Sequence, residues 1–280
     1  MQILIFHQWI TVFSFGTTLG QIERFLVTTG YIGVDLFFFV SAYSLSQHPV
    51  TNYKEFLVNR SVKLIPLFLI AYIAGHFLWF IPALMIVYLL LPLIIKPQTQ
   101  LKPHSFLIVI IAWLIVTAAL LKFIDKDQST GIFLFRIPII ILGVFAGKFN
   151  KQFPSKVKLL FGILLSAGGI ALTYKFGYLN KWAAPFKDIF YLSTIPLSLG
   201  LILLIDCLAE LKEIGWAKWL GGISLEMYFT QVVLGAQIVR ICLNIASNKL
   251  AANLLSFFMV ITISALIAGM YNKLLALRGR

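Results

Sequence analysis

The sequence has little charge. Of its 280 residues only 12% are Asp, Glu, Lys or Arg, and 60% are hydrophobic. In a soluble domain roughly a quarter of the residues are charged. This scarcity excludes an ordinary soluble globular domain. The apolar residues come in runs of about twenty separated by short basic segments, which indicates transmembrane α-helices, because each such helix satisfies its own backbone hydrogen bonds in lipid.

Cofactor and metal patterns are also missing. The two cysteines, Cys207 and Cys242, lie in or beside apolar runs and form no disulfide or metal pattern. No Walker, metal-ligand or glycine-rich nucleotide motif occurs. These absences argue against a pump or a soluble-type enzyme, and they predict no metal and no tightly bound cofactor.

Positive charge is what the chain does have in excess, with a formal net charge of +13. The Lys and Arg side chains are spread over the loops between apolar runs, so we expect no nucleic-acid partner. Positive loops beside membrane spans are better interpreted as signals of topology. The opening MQILIF has no basic residue before its apolar run, and we therefore expect no cleaved signal peptide.

The hydropathy pattern predicts an all-α fold, a polytopic membrane helical bundle of about ten transmembrane helices in one domain over residues 1–280. The predicted spans lie near 2–16, 31–47, 61–76, 79–95, 104–121, 131–148, 158–175, 189–206, 223–244 and 251–272. Residues 64–95 contain no Asp, Glu, Lys or Arg, and as one helix they would be about 48 Å long, well over the roughly 30 Å hydrocarbon core. Gly75 and Pro82 allow a break into two helices.

Loop charge favours ten spans over nine. With both termini in the cytoplasm, ten spans put 14 loop Lys and Arg inside and 8 outside, whereas a single span over 64–95 would put 10 inside and 12 outside. The excess of Lys and Arg on the cytoplasmic side of membrane proteins therefore predicts that both termini are cytoplasmic.

A few polar residues in or near the spans are candidates for function. Asp35 lies in the apolar run GYIGVDLFFFVSAYSLSQ, and Arg136 lies in IFLFRIPIIILG. A charge in such surroundings is costly unless it faces a partner, a polar cavity or the interface. His7, taken alone, is more simply explained as a polar tip at the membrane surface, and an interfacial position is also the simpler explanation for Asp35.

Four motifs together resemble the membrane-bound acyltransferase-3 family, whose members O-acylate sugars. ILIFHQW is similar to the family's first helix with its histidine, here His7, and GYIGVDLFFFVSAYSLS is similar to a segment that carries an acid, here Asp35, and a serine, here Ser41. FLVNRSVKLIPLF resembles an Arg-x-x-Arg-x-x-Pro element, represented by Arg60 and Lys63.

The fourth motif, LWFIPALMIVYLLLPLI, carries Trp79 and Tyr88 at the positions of a family Trp and Tyr. Weaker similarities are FRIPIIILGVFAG, with Arg136, and WLGGISLEMYFTQ, with Ser224 and Tyr228. The resemblance extends over nearly the whole chain, and its motifs come in the family's order.

The resemblance implies transfer of an acyl group, most often acetyl, from acyl-CoA to a hydroxyl of a cell-surface glycan or lipid-linked sugar. A sugar hydroxyl needs a base as it attacks, and His7 is the candidate because imidazole titrates near neutral pH. Asp35 would orient His7 or pair with a cation. Candidates for binding the donor and the acceptor are Arg60, Lys63, Ser41, Trp79, Tyr88, Arg136, Ser224 and Tyr228.

The implied partners are membrane lipid, acetyl-CoA or another acyl-CoA as donor substrate, and the glycan acceptor. The implied location is a bacterial cytoplasmic membrane, with a role in the cell envelope. Two alternatives stay open. One is a transporter or flippase of a glycan precursor, although no inverted repeat relates the two halves of the chain. The other is a non-catalytic family member, supported by the absence of the family's basic residue before His7 and by Gln231, which replaces a common histidine.

Overall fold

The structure, a computed structural model, describes residues 8–14, 16–48, 50–98, 103–120, 133–134, 136–149, 152–178, 194–211 and 215–278. The described residues are mostly helical and contain no strand, so the predicted all-α class is confirmed. The helices are α1 (Thr18–Thr28), α2 (Tyr31–Gln47), α3 (Tyr53–Ile73), α4 (Phe80–Gln98), α5 (Pro103–Leu120), α6 (Ile137–Phe149), α7 (Ser155–Leu172), α8 (Thr194–Leu211), α9 (Gly215–Gly222), α10 (Ser224–Ile245) and α11 (Lys249–Arg278), and a π-helix (Thr173–Tyr178) follows α7.

The helices form two compact units, which are described separately. The terminal unit contains Met1–Gly30, Ile65–Leu78 and Glu213–Arg280, and the central unit contains Tyr31–Leu64 and Trp79–Lys212. The single domain over residues 1–280 stays a prediction.

Helix positions agree with nine of the ten predicted spans, and α2 has the predicted bounds of 31–47. The predicted first span, 2–16, is wrong over the part that the structure describes, because residues 9–14 are not helical. Two short helices, α1 and α9, occupy segments that were predicted as loops.

Side chains from distant helices explain why the chain leaves the helical conformation after Gln8. The Glu23 carboxylate accepts hydrogen bonds from the backbone N–H groups of Val12 and Phe13, at 2.7 and 3.0 Å. The Asn253 amide accepts from the Ile10 N–H at 2.9 Å and donates to the Ile10 carbonyl at 2.8 Å. Backbone polar groups that are shielded from water need partners, and these side chains supply such partners without a helix.

The break that was predicted within residues 64–95 is confirmed. Helix α3 ends at Ile73 and α4 begins at Phe80, and Gly75 between them has a φ of 82°. A side chain with a Cβ is strained at such a positive φ, so glycine suits this turn. Pro82 lies in the first turn of α4, where proline is tolerated because the first N–H groups of a helix have no partner within it.

Small residues let the helices of the central unit pack closely. A Cβ added at Gly143 would lie 2.5 Å from the Phe39 carbonyl oxygen, and one added at Gly147 would lie 2.6 Å from the Tyr43 carbonyl oxygen. Residue numbers increase in the same direction along both helices at these contacts, so α2 and α6 are parallel. Such small-xxx-small pairs are typical of helix packing in membranes.

In the terminal unit, α10 and α11 pack against each other around Ile238, Cys242 and Val260. The Ser264 hydroxyl donates to the Val260 carbonyl at 2.6 Å and lies 3.1 Å from the Thr230 hydroxyl, and both side chains are fully buried. The long apolar faces of these helices are suited to lipid.

Four helices in the described part of the chain are long and apolar enough to cross a membrane, or five if α1 and α2 together form one bent span. The four are Tyr53–Ile73, Ser155–Lys175, Ser224–Ile245 and Lys249–Lys273. Shorter apolar helices include Phe80–Pro92, Ile137–Phe149 and Thr194–Cys207. The count of ten transmembrane helices is not confirmed and stays a prediction.

Candidate functional site

A buried ion pair joins two of the predicted site residues in the central unit. The Nε atom of Arg136 lies 2.7 Å from Oδ1 of Asp35. The Asp35 side chain is fully buried and that of Arg136 is 2% exposed. The Asp35 carboxylate therefore pairs with a cation, which is one of the two arrangements that the sequence left open.

Two more side chains complete this charged cluster, which consists of Asp35, Trp79, Arg136 and Thr194. The Thr194 hydroxyl donates to Oδ2 of Asp35 at 2.6 Å, and Thr194 is fully buried. The guanidinium carbon of Arg136 lies 5.5 Å from the centroid of the Trp79 ring, a cation–π distance. Trp79 was a predicted site residue, whereas Thr194 was not, since one threonine in an apolar run gives no distinctive signal.

The charged cluster lies where four helices begin. Asp35 is in the second turn of α2, Trp79 and Arg136 immediately precede α4 and α6, and Thr194 is the first residue of α8. Helix N-termini carry partial positive charge, which favours a carboxylate and disfavours a cation. The Asp35 carboxylate therefore compensates the charge of Arg136 at the start of α6.

A second group of predicted residues lies elsewhere in the central unit, around Arg60 of α3. Its guanidinium carbon is 4.9 Å from the ring centroid of Tyr88 and 5.4 Å from that of Phe56. Arg60, Ser61 and Tyr88 line a cavity of about 200 Å³. Asp35 is not among the residues that line this cavity, so the structure does not bring Asp35 and Arg60 together there.

Arg60 is exposed, and among the described residues no carboxylate forms an ion pair with it. Its planar guanidinium stacks on aromatic faces and presents a fork of N–H donors that suits carboxylates and phosphates. The arrangement can therefore hold an anion at the cavity. Lys63, one turn further along α3, is half-buried.

The remaining predicted residues are not grouped with either set. Ser41 of α2 is half-buried. In the terminal unit, the Ser224 hydroxyl donates to the Gly221 carbonyl at 2.8 Å, and Tyr228 is half-buried. His7 lies outside the described residues.

The segment that follows His7 is held by Glu23, which the sequence did not single out, and by the backbone carbonyl of Gln231. Besides its two backbone bonds, Glu23 accepts a hydrogen bond from Nε1 of Trp9 at 2.6 Å, and the side chain is buried. Gln8 donates to the Gln231 carbonyl at 3.5 Å. Glu23 stands beside Arg24 in IERFLV, where an adjacent cation made the acid look like an ordinary loop charge.

Helices long and apolar enough to cross a membrane, and a charged pair buried where other apolar helices begin, define an integral membrane helical protein. The acyltransferase-3 family model, described as an acyltransferase domain, matches residues 75–270. This match covers more than half of the chain, which therefore belongs to the acyltransferase-3 family, and the resemblance found in its motifs is confirmed. No curated protein and no solved structure matches the chain.

Family membership gives the reaction class, which is transfer of an acyl group from a donor to an acceptor. Trp79, Tyr88, Arg136, Ser224 and Tyr228 lie within the matched residues. The segments that carry His7, Asp35 and Arg60 precede the match.

Proposed function

We propose that the protein transfers an acetyl group from acetyl-CoA to a hydroxyl of a cell-surface glycan or lipid-linked sugar. Family membership supports acyl transfer, and the exposed Arg60 guanidinium at a cavity is the observation that supports an anionic donor. Coenzyme A carries phosphates, and charge-assisted hydrogen bonds from arginine to phosphate are among the strong ones in proteins.

The chemistry requires a base and a donor site. In the proposed mechanism His7 accepts the proton of the sugar hydroxyl as its oxygen attacks the thioester carbonyl. The C–S bond then breaks, and coenzyme A leaves as a thiolate that takes up this proton from His7. Arg60 and Lys63 bind the donor phosphates. The charged cluster of Asp35, Trp79, Arg136 and Thr194 holds the ends of its helices in place, and Asp35 acts through Arg136.

The donor assignment predicts a specific kinetic change. Arg60→Ala should raise the apparent KM for acetyl-CoA by about tenfold or more, the loss expected for one hydrogen bond to a charged group. The value of kcat should change little, because a phosphate contact made equally in the ground and transition states affects binding more than turnover. Steady-state acetyl transfer by purified protein, at varied acetyl-CoA, measures both constants.

Lys54→Ala is the matched control, since Lys54 is an exposed cation on the same helix that does not line the cavity. Its KM for acetyl-CoA should equal that of the wild type. An Arg60→Ala enzyme with the wild-type KM would remove Arg60 from the donor site. Wild-type protein that neither binds nor hydrolyses acetyl-CoA would support the non-catalytic alternative, and the family match favours the enzyme over a transporter.

We also propose that both termini face the cytoplasm. In the ten-span order, α2, α6 and α8 correspond to even-numbered spans and must run in the same direction. Their contacts agree with this order: Gly143 and Gly147 of α6 meet successive turns of α2, and Asp35 and Tyr43 of α2 bond to Thr194 and Asp206 of α8. Ten spans put both termini on one side, and the excess of loop Lys and Arg on that side makes it the cytoplasm. A C-terminal tag should therefore resist labelling by an impermeant reagent in intact cells and become reactive on lysis. Labelling in intact cells would contradict the ten-span topology.

A further inference from the structure

The central unit contains a second cavity, far more apolar than the first. It has a volume of about 200 Å³, and it is open to the surroundings because Phe153 and Phe161 in its lining are exposed. Four phenylalanines dominate its lining, and we call it the phenylalanine groove. The four are Phe145, Phe149, Phe153 and Phe161, and Val157 and Leu165 also line the groove.

The charge of the one cation in this lining is compensated. Lys158 is 5% exposed, and its ammonium lies 2.9 Å from Oδ2 of Asp206. The Tyr43 hydroxyl donates to Oδ1 of the same carboxylate at 3.2 Å. The stem of Lys158 therefore adds hydrocarbon to the wall, and the groove presents carbon surface to an occupant.

The groove lies in a part of the protein that is suited to the bilayer. Helix α7 belongs to a span long and apolar enough to cross a membrane, and its lining residues, from Val157 to Leu165, occupy its first three turns. This stretch is about 12 Å along the helix axis. An apolar cavity of about 150 Å³ already binds benzene, so a cavity of this size accepts a segment of hydrocarbon chain.

Lysines outside the Lys158–Asp206 pair lie beside the groove, where α6 ends and α7 begins. Lys148 is in the last turn of α6, and its ammonium lies 5.4 Å from the ring centroid of Phe149, a lining residue. Lys156 is exposed in the first turn of α7, next to the lining residue Val157. Basic residues at the end of an apolar pocket between membrane helices suit an anionic head group.

We propose that the phenylalanine groove binds an anionic phospholipid, with one acyl chain against the phenylalanines and the phosphate near Lys148 and Lys156. Three observations favour this occupant. The lining is hydrocarbon, the cavity opens outward from a helix suited to lipid, and the lysines beside it complement a phosphate. This site is separate from the Arg60 cavity, and the proposal does not depend on the acetyl-transfer reaction.

The test measures which lipid the full-length protein retains. The protein is reconstituted into nanodiscs of phosphatidylcholine mixed with phosphatidylglycerol, released into mild detergent and weighed by native mass spectrometry. Wild type should retain phosphatidylglycerol in preference to phosphatidylcholine. The variant Lys148→Gln/Lys156→Gln should lower this preference at least about fivefold, the effect of one lysine near an anionic surface.

Lys54→Gln/Lys218→Gln is the matched control, because it removes the same charge from two exposed lysines that do not line the groove. It should keep the wild-type preference. A groove-filling variant, Val157→Trp, should reduce retention of both lipids. Equal retention of the two lipids by the wild type would overturn the proposal, and so would a preference that the two double variants reduce equally. Displacement of the retained lipid by palmitoyl-CoA would assign the groove to a donor acyl chain and would also overturn it.

Discussion

Replacement of His7 by alanine is expected to reduce acetyl transfer by about 10² to 10⁴, the typical contribution of a general base. The sugar hydroxyl has a pKa far above neutrality, so its attack on the thioester is slow unless a base takes the proton. Because the loss affects the transition state, kcat should fall and the KM for acetyl-CoA should change little. Release of free coenzyme A in the presence of the acceptor measures this rate.

His48→Ala provides the comparison. His48 is exposed at the end of α2 and has no assigned role, so its removal should leave the rate unchanged. Both variants should unfold at the wild-type temperature. Equal rates for His7→Ala and wild type would rule out His7 as the base, whatever the outcome for Arg60. An inactive wild type would instead indicate a non-catalytic member of the family with the same fold.

The second large effect concerns the buried pair of Asp35 and Arg136. Asp35→Asn removes the charge that compensates a guanidinium only 2% exposed, so the cation stays buried in surroundings that disfavour it. Breaking such a pair from one side costs roughly 3–5 kcal/mol. We expect a large fall in the unfolding temperature of the detergent-solubilised protein. Tryptophan fluorescence during heating measures this temperature.

Removing both charges should cost much less. A buried pair replaced by apolar residues of similar volume is often as stable as the original, so Asp35→Leu/Arg136→Met should recover most of the stability lost by Asp35→Asn. Asp206→Asn is the matched single variant, and its effect should be smaller because Asp206 is 28% exposed. If Asp35→Asn melted like the wild type, the pair would not hold the helix ends together.

The double variant also separates structure from catalysis. If the charged cluster only positions helices, Asp35→Leu/Arg136→Met should regain transfer activity along with stability. If Arg136 contacts a substrate, stability should return without activity. Measuring both quantities on one preparation distinguishes the two roles.

The membrane class and most helix positions could be predicted from the sequence, because hydropathy is a property of neighbouring residues. The match of α2 to 31–47 and the break near Gly75 are examples. In lipid each apolar run must make its backbone hydrogen bonds within itself. An apolar run of sufficient length therefore predicts a helix directly. The motifs likewise predicted the family, since the order of residues along the chain is known without a structure.

Only the tertiary structure decided which residues are the partners of the buried charges and backbone groups. Asp35 and Arg136 were each recognised as costly charges, but their pairing, and the hydrogen bond from Thr194, depend on four helix starts meeting in space. Asn253 lies 243 residues from Ile10, yet it satisfies the backbone where a continuous helix had been predicted. A local pattern reports whether a group needs a partner, and only the packing of distant helices determines which residue supplies it.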